Sequence, residues 1–310
     1  MRIRISFGSA VKSLLMAGIS SGAMMAAVTA ADAQTAGYTF TPVKVSGAFL
    51  TEANGINDAG QIVGWSQTSQ GVVTGFVDTN GTFTTISDGG PTLPYGINTG
   101  GNLIGEYEAT NPQKSFLDRG GAITFINVPG ATAVWTEGQG INDAGEIVGT
   151  YEASSGYMHG FTDINGTFAT ISVAGAAETS VFGVNNAGEI VGFTSNASFT
   201  GGEGFLDVNG TITAINDPNA AAVFDYASGT QPYAINNNGV IAGYYKDTSG
   251  YMDGFIYANG TYTTIDVPGA TNTYVMGIND YVDGPHRSTV TANLFRSPPD
   301  ICLGFPRFLT

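Results

Sequence analysis

The chain alternates short apolar runs with turn-forming residues and repeats one phrase of this kind. The phrase is Gly-Ile-Asn-x-x-Gly-x-Ile-Val-Gly, in which Asn, Asp and Gly supply turn residues and the Ile-Val pair predicts a short buried strand. Copies stand at residues 55–64, 96–105, 140–149, 183–192 and 234–243, and a sixth copy begins at 277. No window has the period of an amphipathic helix, so the pattern predicts an all-β protein.

Further pieces recur in each unit after the phrase. A Phe, usually preceded by Gly, begins a second strand, and an Asn-Gly pair follows this strand in most units. A run such as Thr-Phe-Thr-Thr-Ile at 82–86 then forms the returning strand. Asn-Gly between two such runs predicts a hairpin with a type I′ turn, because both central residues of that turn have a positive φ. With the apolar run before each phrase, one unit contains four short strands.

The length of the unit indicates the architecture. Successive phrases begin 41, 44, 43, 51 and 43 residues apart, and four strands in this length are typical of one propeller blade. Residues 39–58 also resemble residues 261–280, so the chain enters on the last strand of one unit and ends in the first strand of another. Such an offset closes a ring, because strands from both ends of the chain then share one blade.

We therefore predict a β-propeller of about six four-stranded blades, formed by residues 34–280 as five full repeats and one composite, incomplete blade. A five-bladed ring is expected if the C-terminal part does not pair. A β-solenoid is the alternative, since it also stacks repeats. The Asn-Gly hairpins favour the antiparallel sheets of a propeller.

Residues 281–310 depart from the repeat. No Ile-Val pair, Gly-Phe strand or Asn-Gly-Thr follows the sixth Gly-Ile-Asn-Asp, and the segment contains Pro298-Pro299 and Pro306. Proline cannot donate to a central ladder, so we expect an irregular tail apart from a strand within 288–295, and a composite blade that is short of strands. A frame-shifted end and a natural terminal cap both explain such a tail.

The first 33 residues have the pattern of a secretory signal peptide. Arg2, Arg4 and Lys12 precede an uncharged stretch of small and apolar residues, and residues 31–33, Ala-Asp-Ala, fit a cleavage site. A membrane-spanning helix is the alternative, although the stretch is barely long enough for one. The sequence thus predicts an exported protein, extracellular or periplasmic, with no membrane insertion after the signal is cleaved.

Net charge limits the expected binding partners, and the cysteine content limits how the fold can be stabilised. The formal net charge is −15, and removal of residues 1–33 leaves seven basic residues against 24 acidic ones. Such a chain is repelled by nucleic-acid phosphates and anionic membrane surfaces, so neither is an expected partner. Cys302 is the one cysteine, which excludes an internal disulfide. We expect a monomer that is stabilised by packing.

Candidate catalytic chemistry is sparse. His159 and His286 are the two histidines, and no nucleophile elbow, phosphate-binding loop or zinc motif occurs. Many acidic residues recur at turn positions of the repeat, namely Asp58, Asp143, Asp78, Asp118, Asp163 and Asp207. Glu137, Glu203 and Asp225 break that pattern, but nothing in the sequence pairs them. We therefore predict no catalytic residue, no cofactor and no metal site.

Repeated aromatic residues give the strongest indication of binding. Trp65 lies one residue after the last Gly of its phrase, and Tyr107, Tyr151 and Tyr245 lie two residues after theirs. Repeated aromatic residues in a propeller are typical of packing between blades. The alternative is a set of platforms on which sugar rings stack.

An insertion supplies a second group of candidates. The fourth interval is eight residues longer than the third, and the extra length falls within residues 215–233. Insertions on repeat scaffolds often carry binding loops. Phe224, Asp225 and Tyr226 are therefore candidate ligand-binding residues.

The whole pattern, Gly-Ile-Asn-x-x-Gly-x-Ile-Val-Gly, then Gly-Phe, then Asn-Gly-Thr-x-Thr-x-Ile-x-Val-Pro-Gly-Ala, resembles the HAF repeat family of extracellular repeat proteins. The resemblance covers residues 39–280 in five and a half copies. It implies an exported bacterial protein, and it implies no activity, because none is established for the family. The C-terminal anchor that is frequent in the family is not recognisable in this sequence.

Together these features predict an exported, non-enzymatic binding module whose ligand is a carbohydrate or a cell-envelope component. Two alternatives stay open. One is a polysaccharide-cleaving hydrolase or lyase on a propeller scaffold, and the other is a purely structural surface protein.

Overall fold

Antiparallel strands form the regular structure of this chain, which we describe from a computed structural model. The structure describes residues 2–7, 38–87, 89–108, 114–196, 202–221, 229–267, 269–280 and 290–295. These residues contain 24 strands, β1–β24, and among them no helix has the length and hydropathy needed to cross a membrane. The prediction of an all-β chain is confirmed.

The strands pair into six four-stranded sheets, named blades 1 to 6 in the order of their inner strands. Blade 1 contains β3 (Leu50–Ile56), β4 (Ile62–Gln67), β5 (Val73–Thr79) and β6 (Thr82–Ile86). Blade 2 contains β7 (Thr92–Ile97), β8 (Leu103–Tyr107), β9 (Lys114–Arg119) and β10 (Ala122–Phe125). Blade 3 contains β11 (Ala131–Ile141), β12 (Ile147–Ala153), β13 (Met158–Ile164) and β14 (Thr167–Ile171).

The other three blades follow the same order. Blade 4 contains β15 (Glu178–Val184), β16 (Ile190–Ser195), β17 (Glu203–Val208) and β18 (Thr211–Ile215). Blade 5 contains β19 (Thr230–Ile235), β20 (Ile241–Lys246), β21 (Met252–Ala258) and β22 (Thr261–Ile265). Blade 6 contains β23 (Asn272–Ile278), β24 (Val290–Phe295), β1 (Arg2–Phe7) and β2 (Tyr38–Val43).

Blade 6 corrects one expectation from the sequence. The composite blade was expected to be short of strands, but it has four, because β1 pairs with β24 on one side and with β2 on the other. The expected strand within 288–295 is confirmed as β24, which also pairs with β23. Residues 281–289 and 296–310 lie outside the described residues, so the irregular tail stays a prediction.

The hairpins between the third and fourth strands have the predicted turn. Asn80, Asn165, Asn209 and Asn259 have φ between 51° and 53°, and the glycine after each also has a positive φ. In blade 2 the pair Gly120-Gly121 adopts the same conformation. The acidic residue before most of these turns accepts a hydrogen bond from the second turn residue, as Asp78 does from the Gly81 amide at 2.7 Å. The repeated Asp residues therefore serve the turns.

The hydrophobic core lies between neighbouring blades. Each full repeat places the Phe of its third strand in a separate core cluster, with 0–3% of its surface exposed (Phe76, Phe116, Phe161, Phe205 and Phe255). Burial of one such ring contributes about 1.5–3 kcal/mol. The periodic Phe in the sequence is thus the anchor of each blade.

Every inner strand contains a β-bulge at the same place. In β3 the register shifts between Ala53 and Gly55, so Asn54 is an extra residue, and the five other inner strands shift at the equivalent step. A bulge of this kind lets the strand turn one side chain away from its normal direction. The bulge residues are Asn54, Tyr95, Gln139, Phe182, Tyr233 and Met276.

The last Gly of the repeated phrase faces this bulge from the second strand. At Gly149 an added Cβ would overlap the backbone carbonyl of Glu137 and would also crowd the Phe161 ring. The φ of Gly149 is not positive, so close approach of the two strands, and not the backbone conformation, demands glycine there. The same overlap occurs at Gly64, Gly105, Gly192 and Gly243.

A closed ring of asparagine side chains holds the six inner strands together. The residue after each inner strand is the Asn of the Gly-Ile-Asn phrase, and its Nδ2 donates to the backbone oxygen of the equivalent Asn in the next blade at 2.9–3.2 Å. The last bond, from Asn279 Nδ2 to Asn57 O, joins blade 6 to blade 1 across 222 positions. The ring excludes an open solenoid and confirms a six-bladed propeller.

Removal of one amide should weaken the whole ring. Asn185 donates to Asn236 O, and its Oδ1 accepts from the Glu189 amide, while only 3% of the residue is exposed. Asn185→Ala leaves buried groups without partners, so we expect it to lower the free energy of unfolding by about 2–4 kcal/mol in chemical denaturation. The control Asn216→Ala, at an exposed position, should change it by less than about 0.5 kcal/mol. Equal stability of the two variants would contradict the structural role of the ring.

Candidate functional site

The centre of the propeller is a channel with two different ends. One end, with a volume of about 90 Å³, is lined by the Asn ring and by the residue after each of its members. The other end, with a volume of about 80 Å³, is lined by five of the six bulge residues. We call the first the Asn end and the second the bulge end.

The Asn end is regular, and its polar atoms are largely occupied. Asp143 Oδ1 accepts from the Thr99 amide at 2.7 Å, and its Oδ2 accepts from Asn186 Nδ2 at 2.8 Å. Asp280 accepts from Asn237 through both oxygens. These bonds again connect each blade with the next. The acidic groups of this end therefore serve ring closure.

The bulge end is asymmetric. Its walls are formed by Tyr95, Gln139, Phe182, Tyr233 and Met276, which are four different types of side chain at five equivalent positions around one axis. The sixth bulge residue, Asn54, is buried and donates to the Pro94 carbonyl oxygen at 3.0 Å. An asymmetric set of side chains on a symmetric scaffold is what a specific ligand site requires.

A pair of buried carboxyl groups lies behind Tyr95. The Tyr95 hydroxyl donates to Glu106 Oε2 at 3.1 Å, and it also bonds to the Glu137 carboxyl, to which the Gln139 amide donates. Glu106 is 6% exposed and Glu137 is 8% exposed. Glu106 comes from blade 2 and Glu137 from blade 3, so the pair spans the seam between these blades.

Burial makes both carboxyl groups weak acids. It raises the pKa of Glu106 to about 7, against the lowering effect of the Tyr95 hydrogen bond, and the charge of Glu108 raises it further. Burial and then the charge of Glu106 raise the pKa of Glu137 to about 8. Burial and the same two carboxyl groups hold the pKa of Tyr95 well above its usual range. At neutral pH the pair therefore retains protons.

Aromatic rings form the opposite side of the bulge end. The rings of Phe182 and Tyr233 stack with their centroids 4.4 Å apart and an interplanar angle of 6°. Tyr244 lies 5.6 Å from Tyr233 and 4.8 Å from Tyr274, and its hydroxyl donates to Gln231 Oε1 at 2.8 Å. The site thus has an acidic side in blades 2 and 3 and an aromatic side in blades 4 to 6.

The two acidic residues occupy positions of the repeat that are filled by aromatic residues in other blades. Glu106 and Tyr244 both follow the last Gly of their phrase, and Glu137 and Tyr274 occupy equivalent positions in their inner strands. The contact between Glu106 and Glu137 is therefore the counterpart of the contact between Tyr244 and Tyr274. Sequence analysis missed Glu106, although alignment of the repeats shows a carboxyl group where three of the four other full units have an aromatic residue, Trp65, Phe193 and Tyr244.

The aromatic residues chosen from the sequence lie elsewhere. Trp65, Tyr151 and Tyr245 are 2–6% exposed, and none of them lines the channel. Tyr151 packs against Phe161, and Tyr107 packs against Phe125 with centroids 5.5 Å apart. These contacts place Trp65, Tyr151 and Tyr245 in the core within and between blades, whereas Tyr107 is half-buried, and a ligand-binding role of these rings stays a prediction.

The inserted segment is described only at its two ends. Phe224, Asp225 and Tyr226 lie outside the described residues, so their role stays a prediction. Ala221, just before the gap, donates to the Lys246 carbonyl oxygen at 2.7 Å, which fixes the start of the segment against β20. His159 is hydrogen-bonded through Nδ1 to the Ser172 hydroxyl at 2.9 Å, away from the channel.

Comparison with known proteins supports the architecture. No family model and no curated protein matches the chain. TolB from Acinetobacter baumannii is similar in structure, with a TM-score of 0.53, 12% identity, and coverage of 76% of this chain and 64% of that chain. The chain thus spans less than two thirds of TolB, and at this identity the similarity shows the fold alone.

Two fungal proteins are similar at lower scores. AofleA from Arthrobotrys oligospora has a TM-score of 0.48 at 13% identity, with coverage of 74% of this chain and 77% of that chain. The six-bladed Aleuria aurantia lectin has a TM-score of 0.45 at 12% identity, with coverage of 70% and 76%. Scores below 0.5 say nothing about what this chain binds.

The raised pKa values of the carboxyl pair predict a pH-dependent stability. Between about pH 5 and pH 8 the folded protein holds more protons than the unfolded chain, so the free energy of unfolding should fall as the pH rises, by up to about 1.4 kcal/mol per pH unit for each carboxyl group that stays protonated only in the folded state. Urea denaturation at pH 5, 6, 7 and 8 measures this slope. Glu137→Gln should reduce it, and Glu203→Gln, at an exposed position, should not. A slope that is unchanged in Glu137→Gln would contradict the burial of this carboxyl group.

Proposed function

We propose that this protein is a non-enzymatic carbohydrate-binding propeller that holds its ligand at the bulge end of the central channel. The observation that carries the proposal is the asymmetry of that end, where the bulges bring Tyr95, Gln139, Phe182 and Tyr233 to one opening. Aromatic faces beside a few polar groups are typical of small-ligand sites.

The aromatic side suits the apolar face of a sugar ring. Phe182 and Tyr233 are half-buried, so their rings are held by packing while part of each stays accessible. A ring that is fixed before binding loses little conformational entropy when a ligand stacks on it. Tyr244 packs against Tyr233 and is itself held by Tyr274, which fixes the orientation of the Tyr233 ring.

The polar side suits the hydroxyl groups of a sugar. The Tyr95 hydroxyl already donates to Glu106 and the Gln139 amide to Glu137, so these residues offer a sugar the accepting lone pairs of the Tyr95 oxygen and the carbonyl oxygen and second N–H of Gln139. The volume of about 80 Å³ corresponds to a few water molecules, so the site would take a terminal group of a glycan and not a threaded chain. This size favours recognition of chain ends.

A glycan array followed by calorimetry tests the proposal. We expect a defined set of glycans to bind, and Tyr233→Ala to weaken binding about tenfold, because it removes the ring on which Phe182 stacks and so disrupts the aromatic wall of the opening. The control Tyr251→Ala removes a ring that is 49% exposed and does not line the channel, so it should leave the affinity unchanged. Absence of binding to every glycan, or equal effects of the two variants, would contradict a carbohydrate site at the bulge end.

Hydrolysis of a glycosidic bond is a second candidate function, and the carboxyl pair favours it. Glu106 and Glu137 both interact with the Tyr95 hydroxyl and influence each other's pKa, and glycosidases use a pair of neighbouring carboxyl groups, about 5–10 Å apart. Both groups are buried behind Tyr95, which is why we rank binding first. Release of reducing sugar from a polysaccharide panel, with loss of release in Glu137→Gln, would decide for the enzyme.

We also propose that the protein is exported through the signal-like residues 1–33. The support is the order of basic, apolar and small residues in that segment. Removal of the segment would also remove β1, and β2 would then lose its strand partner. Mass spectrometry of the mature N-terminus tests the proposal, with Gln34 as the expected first residue.

A further inference from the structure

We infer that in the exported protein residues 301–305 form the third strand of blade 6, in the place that β1 occupies in the structure. The inference rests on the proposed removal of residues 1–33, which would take β1 away and leave β24 and β2 with facing unpaired edges. Such edges bind a further strand readily, because their N–H and C=O groups have no partners. The occupant that we assign is a segment of the same chain.

β1 lies where the repeats place their third strand. In blade 1, Gly64 of the second strand pairs with the anchor Phe76 of the third strand. The equivalent residue of blade 6 is Ala292, because it pairs with the inner strand at the same step before the bulge. Ala292 also pairs with Ile3 of β1. β1 therefore fills the third-strand place, with Ile3 at the register position of the anchor Phe.

β1 does not match the repeat at the neighbouring position. The residue before the anchor Phe is Gly in four of the five full repeats, and an added Cβ there would overlap the inner strand of the next blade, as Gly75 would overlap Thr92. β1 instead places Arg2 at this register position, opposite Asn293. A strand that contains Gly followed by Phe fits the packing of the repeat better than β1 does.

The core cluster beside blade 6 lacks an aromatic anchor. Each of the other five clusters contains one anchor Phe and lies between two neighbouring blades. The cluster between blades 5 and 6 contains residues such as Ile256, Ile265 and Val275, and among the described side chains it has no aromatic ring. The third strand of blade 6 is the element that would supply this ring.

Gly304-Phe305 has the identity and the spacing that this place requires. In the five full repeats the anchor Phe follows the last Gly of its phrase by 11 to 13 residues, and Phe305 follows Ala292 by 13. The same alignment places Gly304 at the position of Gly75. Residues 296–300 would connect β24 to the new strand, which is the length of the connection 68–72 between β4 and β5.

The residues after this pair fit a composite blade. In a full repeat a turn follows the third strand, because the fourth strand comes next in the chain. Blade 6 needs no such turn, since its fourth strand, β2, comes from the other end of the chain. Pro306 interrupts a ladder and would end the strand directly after Phe305. The inference thus revises the expectation of an irregular tail for these five residues, which do not stand out in the sequence without the rest of the repeated pattern.

Hydrogen–deuterium exchange of the secreted chain tests the inference, once mass spectrometry has identified its first residue. We expect the amides of residues 301–305 and of β2 to exchange as slowly as those of the other third and fourth strands, because both segments are paired. Phe305→Ala should speed exchange in both segments by about tenfold, since the anchor ring is lost. The control Phe308→Ala removes the same ring beyond Pro306 and should leave the exchange of β2 unchanged.

A labelled peptide of residues 2–7 measures whether the third-strand place is free. The secreted chain should bind this peptide no better than a peptide of the same residues in scrambled order, because residues 301–305 already fill the place. Phe305→Asp would bury a charge and should release the segment, so we expect fluorescence anisotropy to show peptide binding about tenfold tighter. Phe308→Asp should leave peptide binding as it is in the secreted chain.

The outcomes are distinct. Fast exchange of residues 301–305, tight peptide binding by the unaltered chain, or equal peptide binding by the two Asp variants overturns the inference. Fast exchange of residues 301–305 together with slow exchange of β2 would identify a strand of another molecule as the occupant. A secreted chain that keeps residues 2–7 overturns the proposed cleavage and the inference together, whereas a chain that begins at Gln34 isolates the inference. Carbohydrate binding at the bulge end is measured separately on the array.

Discussion

The propeller depends on a ring of six buried amide groups around its axis. Each Asn of the ring donates to the backbone of the next blade, and the bond from Asn279 to Asn57 closes the circle. Because buried polar groups are costly without partners, every blade needs both neighbours before its own Asn is satisfied. The ring thus makes closure cooperative, and it explains why the chain keeps the Gly-Ile-Asn phrase in every unit.

The same phrase also creates the variable part of the molecule. The last Gly of the phrase lets the second strand approach the bulge of the inner strand, and the bulge turns one residue per blade toward the channel. A bulge residue has no paired partner on the neighbouring strand, so the ladder does not restrict which side chain it carries. One end of the channel is therefore regular and structural, and the other differs from blade to blade.

The Glu106–Glu137 pair shows that variation between blades can carry an energetic penalty. At the seam between blades 2 and 3, Glu106 and Glu137 occupy positions that Tyr244 and Tyr274 fill between blades 5 and 6. Two aromatic rings pack there without penalty, whereas two buried acids lose hydration and repel each other when ionised. Among the described residues no basic side chain interacts with these two carboxyl groups, which makes this seam a candidate functional site.

The sequence by itself determined the local structure. Asn-Gly pairs dictated the I′ hairpins, because few residues tolerate a positive φ, and the period of the phrase dictated four strands per blade. The resemblance of residues 39–58 to residues 261–280 also indicated a ring that both ends of the chain close. The hairpins and strands could be predicted because each depends on neighbours in the chain.

Only the tertiary structure decided the site and the composite blade. Glu106 and Glu137 are 31 residues apart and belong to different repeats, so no local pattern could pair them. The aromatic residues that stand out in the sequence, such as Tyr151 and Tyr245, are buried, while Phe182 and Tyr233 reach the channel because a bulge redirects them. The pairing of β1 with β24 likewise joins opposite ends of the chain. Contacts between distant residues follow from ring closure, which a local reading of the sequence does not contain.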